Sequence, residues 1–142
     1  MAITQAVANS FKEEILEGTH DLETGGDQIK LALYTSQATL SAATTSYTTG
    51  NEVSASGQYS AGGGILQSQQ VSLDTGVAIV DFADLSFTGV TLTARGALIY
   101  NDTQADKAIC ALDFGSDKTA TSGTFTIQFP AFTSSSAILR IA

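Results

Sequence analysis

The chain has one cysteine, one proline, no tryptophan and only six basic residues among its 142. A single cysteine excludes an internal disulfide framework and any cysteine-rich zinc site. Six Lys and Arg against fourteen Asp and Glu leave a formal charge of −8. Nucleic-acid binders need a basic footprint to displace counterions, so that class of partner is excluded. Charged residues make up only 14% of the chain, against ~25% in an average domain. No apolar run approaches the ~18 residues of a membrane-crossing helix, so no membrane partner is expected. The opening MAITQAVANSFKEEILEG has no basic stretch followed by an apolar core. A secretory signal is therefore not expected.

What the chain does contain is small hydroxyls: 19 Thr and 15 Ser, with 13 Gly. A hydrophobic content of 43% argues against disorder. The length suits one domain, and a chain of this size buries about two-thirds of its unfolded surface.

Near the N-terminus, Ile3, Val7, Phe11 and Ile15 recur every four residues, beside Ala6 and Leu16. That spacing predicts an amphipathic helix over residues 1–18. Thr4 is a possible N-cap, and Gly18 suits a left-handed stop. Glu13, Glu14 and Glu17 sit at the end where the helix dipole disfavours negative charge. Such a helix needs its apolar stripe packed on something.

From residue 29 the pattern changes to strands. Ile29–Tyr34, Ile65–Leu73, Val77–Phe82, Leu85–Phe87, Ala94–Tyr100, Ala108–Phe114, Thr124–Phe129 and Ala137–Ile141 are the predicted segments. Asp74-Thr75-Gly76, Asn101–Lys107 and Gly115–Ser122 read as turns, and Pro130 ends a strand. Residues 35–64 are polar and irregular, with one short strand near Glu52–Ser56. Stretches of that kind are functional, disordered or ordered by a partner. About eight strands and no alternating helices predict a mainly β chain: an antiparallel, jelly-roll-like β-sandwich with one N-terminal helix. Residues 1–142 form one domain in this reading, helix 1–18 packing on a sandwich of 29–142.

Residues with chemical potential do not assemble into a catalytic set. His20, the only histidine, has Thr19 and Asp21 beside it and reads as a surface or capping residue. Cys110 lies in a predicted strand, in register with Ala108 and Leu112, and reads as core. Asp113-Phe114-Gly115 matches the kinase magnesium tripeptide, but no other kinase motif accompanies it. Asp102 and Asp106 with Asn101 and Thr103, or Asp81 and Asp84, supply oxygens but no calcium loop; solvated turns explain them. Gly62-Gly63-Gly64 lacks the Lys-Ser/Thr ending of a phosphate loop. No enzyme activity, cofactor or metal is expected.

ITQAVANSFKEEILEG, IKLALYTSQATL, YTTGNEVSASGQYSAGG, IVDFADLSF, TARGALIYN, ALDFGSDK and FTIQFP follow one another along nearly the whole chain. The series resembles a family of small virion structural proteins of tailed bacteriophages and prophages. That pattern often has a cysteine after Val7, where this chain has Ala8. The resemblance implies a particle component assembled in the host cytoplasm. It implies a capsid decoration (cement) protein on the outer shell, a homotrimer bridging copies of the major capsid protein. Ile3, Val7, Phe11 and Ile15 then offer an interface stripe. The alternative is a tail or fibre module for host recognition, with Tyr34, Tyr47 and Tyr59 exposed to a surface receptor.

Overall fold

The computed structural model describes residues 2–142. In order, the elements are β1 (Ala6–Val7), α1 (Asn9–Leu16), β2 (Ile29–Tyr34), β3 (Gly64–Ile65), β4 (Gln70–Asp74), β5 (Val77–Asp81), β6 (Leu85–Asn101), β7 (Lys107–Ile127) and β8 (Leu139–Ile141). They form two antiparallel sheets, β1-β7-β6-β2-β3 and β4-β5-β8. Val80, Phe82 and Leu139, on or beside the small sheet, join the same core as the large sheet. The chain is therefore mainly β, in a sandwich-like arrangement with one short helix.

The β6–β7 hairpin is the spine. Its closed end, Gly96–Asn101 against Lys107–Asp113, is flanked by β2 on one side and β1 on the other. Every residue of β2 except Lys30 is buried. The other end, Leu85–Ala94 against Lys118–Ile127, continues past β2 as a two-stranded ribbon. It alternates, with Phe87, Val90, Leu92 and Phe125 inward and threonines outward. Thr93 and Thr119 meet across it at 2.9 Å. Leu85–Phe87 and Ala94–Tyr100, separate segments by sequence, are one strand, β6, that starts after the Ala83-Asp84 break, and β7 runs through the expected turn at Gly115–Ser122. There, Ala94 pairs with Lys118 and Gly96 with Asp113, so Phe114–Asp117 bulge outward opposite Arg95 alone. Asp113 holds this bulge, accepting from the Gly115 N–H at 2.9 Å and from Arg95 Nε at 3.1 Å. Backbone closure by the partner strand overrides the turn chemistry of Gly115, Ser116 and Asp117.

The N-terminal helix is half as long as its spacing predicts. Ile3 bridges Leu40, and Ala6 and Val7 pair with Ala111 and Cys110 as an edge strand. Only Asn9–Leu16 is helical, entered from an extended Ala8 with no side-chain cap, so Thr4 caps nothing. The four-residue spacing of Ile3, Val7, Phe11 and Ile15 is produced by a strand and a helix in series. Ile3 and Phe11 are buried, while Val7 and Ile15 are partly covered. Gly18 (φ 75°) ends α1 as read from the sequence. Its N–H donates to Ile15 O and that of Thr19 to Glu14 O, a paired termination that only a left-handed residue allows.

Residues 65–73 are two strands of different sheets rather than one; Ser68 turns between them with φ 55°. The 74–77 turn is a two-residue hairpin with positive φ at Thr75 and Gly76. The 35–64 excursion is ordered by its own chain. Val53, Tyr59 and Leu40 are buried, and Gly63 lies so close to β2 that a Cβ there would overlap Leu31 O.

Candidate docking face

Register across the small sheet creates an apolar face from residues that no single segment reveals. Val71 pairs with Val80 and Val80 with Leu139; Leu73 pairs with Ala78 and Ala78 with Ile141. Alternation puts all six on one face as two rows of three. The inner row is covered: Val80 and Leu139 are buried. The outer row is open, with Leu73 73% and Ile141 55% exposed, and Val71 at the free edge is 38% exposed. Across the gap stands α1, whose Phe11 is buried while Leu16 is 89% exposed. Between helix and sheet lies an open groove of about 640 Å³, walled by Val7, Phe11, Ile15 and Leu16 on one side and by Val71, Ala78, Val80, Leu139 and Ile141 on the other; Leu73 lies on the same sheet face beside it.

The groove's rim is charged. Lys12, Asp21, Glu23 and Arg140 line it. Lys12 reaches only Asn9, and Arg140 donates to Ser135 O; neither forms an ion pair among the described residues. Glu23 is held below its usual range, chiefly by the Thr24 N–H. Loop 21–27 is tied to the start of the small sheet by Thr24 Oγ1 donating to Gln69 O and by Gln69 Nε2 donating to Glu23 O. Several large apolar side chains on one open face make a surface that monomeric proteins seldom leave bare.

Of the expected interface residues, Val7, Phe11 and Ile15 line this groove. Ile3 does not; it is buried against Leu40 and Gly96. The tyrosines are elsewhere and are not on the surface. Tyr34 and Tyr59 are fully buried and Tyr47 is half-buried. All four tyrosines of the chain gather around Glu52. Tyr47 donates to Glu52 Oε1 at 2.6 Å, Tyr59 to Oε2 at 2.7 Å, and Tyr47 stacks on Tyr100 at 4.8 Å. Tyr34 donates to Thr48 O at 2.6 Å. Burial raises all four phenols, Tyr34 to about 12. The Tyr59 hydroxyl also accepts the Leu33 N–H, replacing the neighbour that β2 lacks beyond β3. A half-buried carboxylate collecting phenols is a structural joint.

Two other sequence readings change or find their place. His20 is not at the surface; its side chain is fully covered, packed under Phe11 and bonded to Glu14. Cys110 lies in the core, and burial pushes its thiol up to about 12. Asp102 accepts from Gln28 Nε2 at 2.7 Å, and Asp84 caps the Phe129 N–H at 2.9 Å. Among the described residues, no three His, Cys, Asp or Glu side chains converge to hold a metal. No described helix is long and apolar enough to cross a membrane.

Comparison with protein-family models, with curated proteins and with solved structures finds no match to this chain.

Proposed function

We propose that this chain is a non-catalytic structural protein of a phage particle, a decoration protein that docks on the outer shell. The observation that carries the reading is the exposed pair Leu16 and Ile141 on opposite walls of the groove, with Leu73 exposed beside it on the same sheet face. Burying about 100 Å² of such surface contributes roughly 2–3 kcal/mol, so a handful of anchors suffices when many copies bind side by side. The occupant is an apolar patch of the major capsid protein flanked by basic residues. The chain's net charge of −8 complements that chemistry and keeps the protein away from packaged DNA, while the rim itself mixes Asp21 and Glu23 with Lys12 and Arg140. The resemblance along the sequence supports the virion setting, and with it a homotrimer at local three-fold positions bridging neighbouring capsomers. The receptor-binding alternative has less support, because two of its three tyrosines, Tyr34 and Tyr59, are buried and only Tyr47 is partly exposed.

Electron cryomicroscopy of intact particles tests the reading. Hundreds of copies on the shell, with Leu16, Leu73 and Ile141 at the contact, are expected; a dozen or fewer at the tail overturn it. The triple substitution of Leu16, Leu73 and Ile141 to Ser provides the solution test. It abolishes attachment to undecorated shells while the isolated protein melts as before. Attachment that persists shows that another face docks.

A further inference from the structure

His20 is the only histidine, and its side chain has no exposed surface. Its Nε2 lies 2.9 Å from Glu14 Oε1 and its Nδ1 lies 2.9 Å from Asn101 Nδ2. Asn101, fully buried at the end of β6, decides where the imidazole proton sits. Asn101 Oδ1 accepts from the N–H groups of Thr103 and Gln104, both at 3.1 Å. Asn101 Nδ2 donates to Asp27 Oδ2 at 2.8 Å. Reversing this amide sets an NH₂ against two N–H donors and an oxygen against a carboxylate, so all three bonds are lost together. The NH₂ is thus fixed toward His20. Nδ1 can only accept, and the ring proton resides on Nε2, donated to Glu14.

We infer that His20 is a pH-operated latch: neutral, it ties α1 and the 17–28 loop to the β6–β7 turn, and protonation lets them go. A second ring proton points from Nδ1 at an NH₂ donor, in a pocket closed by Phe11. The charged groups facing the ring are Glu14 from α1, Asp21 and Asp27 from the loop, and Lys107 from β7. Glu14 already receives the Nε2 proton and stands 3.7 Å from Lys107, which offsets its charge. Asp27 is bonded through Asn101. Burial acts to raise its carboxyl, but donors from Asp21, Asn101 and Gln104, together with the nearby His20 ring when charged, hold it below its usual range. It therefore stays an acceptor and keeps Asn101 from turning. Asp21 is engaged on the loop, its carboxylate accepting from the Glu23 N–H. The latch is internal to one protomer and independent of any docking partner, although the helix it holds is one wall of the groove.

Because there is a single histidine, imidazole ¹H–¹⁵N correlation spectra of the full chain read the ring without assignment. At about pH 7.5 the Nε2–H tautomer is expected. The pH is then lowered stepwise until the spectrum shows both ring nitrogens protonated. Protection of the Thr19, Asp27 and Asp102 amides, which donate to Glu14 O, Asp21 O and Gln28 O, then falls about tenfold or more while β2 stays protected. His20→Gln keeps an amide in the pocket but cannot titrate, and its protection is flat over this range. An Nδ1–H or doubly protonated ring at pH ~7.5 overturns the proposal. So does protonation that leaves protection unchanged, or an equal loss of protection in His20→Gln.

Discussion

Tyr47 and Tyr59, twelve positions apart in an irregular stretch, donate to the two oxygens of one carboxylate, that of Glu52. The pair turns residues 47–62 into a packed layer over β2 and closes the large sheet where β3 ends. Glu52→Ala leaves two phenols and the Gly62 N–H without their acceptor. Each buried unsatisfied donor costs about 1–3 kcal/mol, so a loss of roughly 2–5 kcal/mol is expected in urea unfolding. A loss below about 1 kcal/mol shows that water replaces the carboxylate.

The same cluster sets the alkaline limit of the fold. Burial raises the phenols, Tyr34 to about 12, whereas an unfolded tyrosine ionises near pH ~10. The unfolded state therefore loses protons first as pH rises. Stability is full below pH ~10 and declines above it, through the folded value near 12. Tyrosinate absorbance is expected to appear together with loss of β-sheet circular dichroism. Four phenols titrating near pH ~10 in a folded chain contradict the burial.

Phe11 is the one buried side chain of α1 and covers His20. Phe11→Ala is expected to destabilise the isolated protein by about 3–5 kcal/mol and lower its melting temperature. An unchanged melting temperature means that the helix is not part of the core.

Cys110 is expected to resist thiol reagents in the native state. Its thiol is buried and pushed up to about 12, so little thiolate forms and none is accessible. Modification should follow unfolding in denaturant; rapid labelling in buffer alone refutes this placement.

The sheet content and the strands Ile29–Tyr34 and Val77–Phe82 were legible, because their apolar periodicity is strong and their turns carry Gly and Asp. Gly18 was legible for the same local reason. The limits lay where tertiary pairing decides. Ala6 and Val7 have helical spacing to Phe11 and Ile15, yet the free edge of β7 at Cys110 and Ala111 makes a strand of them. Gly115–Asp117 have turn chemistry, yet both flanks of the segment are paired to β6. The docking face was the least legible. Leu73, Ala78 and Ile141 form a row only through register, and nothing local marks Leu16 as exposed. His20 looked exposed because its neighbours in sequence are polar; its cover, Phe11, and its partner Asn101 come from nine and eighty-one residues away.

The groove joins residues 7–23 to residues 139–141. During synthesis the helical wall emerges early, but the facing row stays incomplete until Ile141 has left the ribosome. A product that stops before Leu139 thus presents β4 and β5 without their third strand. Fragments lacking β8 should therefore be excluded from any assembly that reads this face.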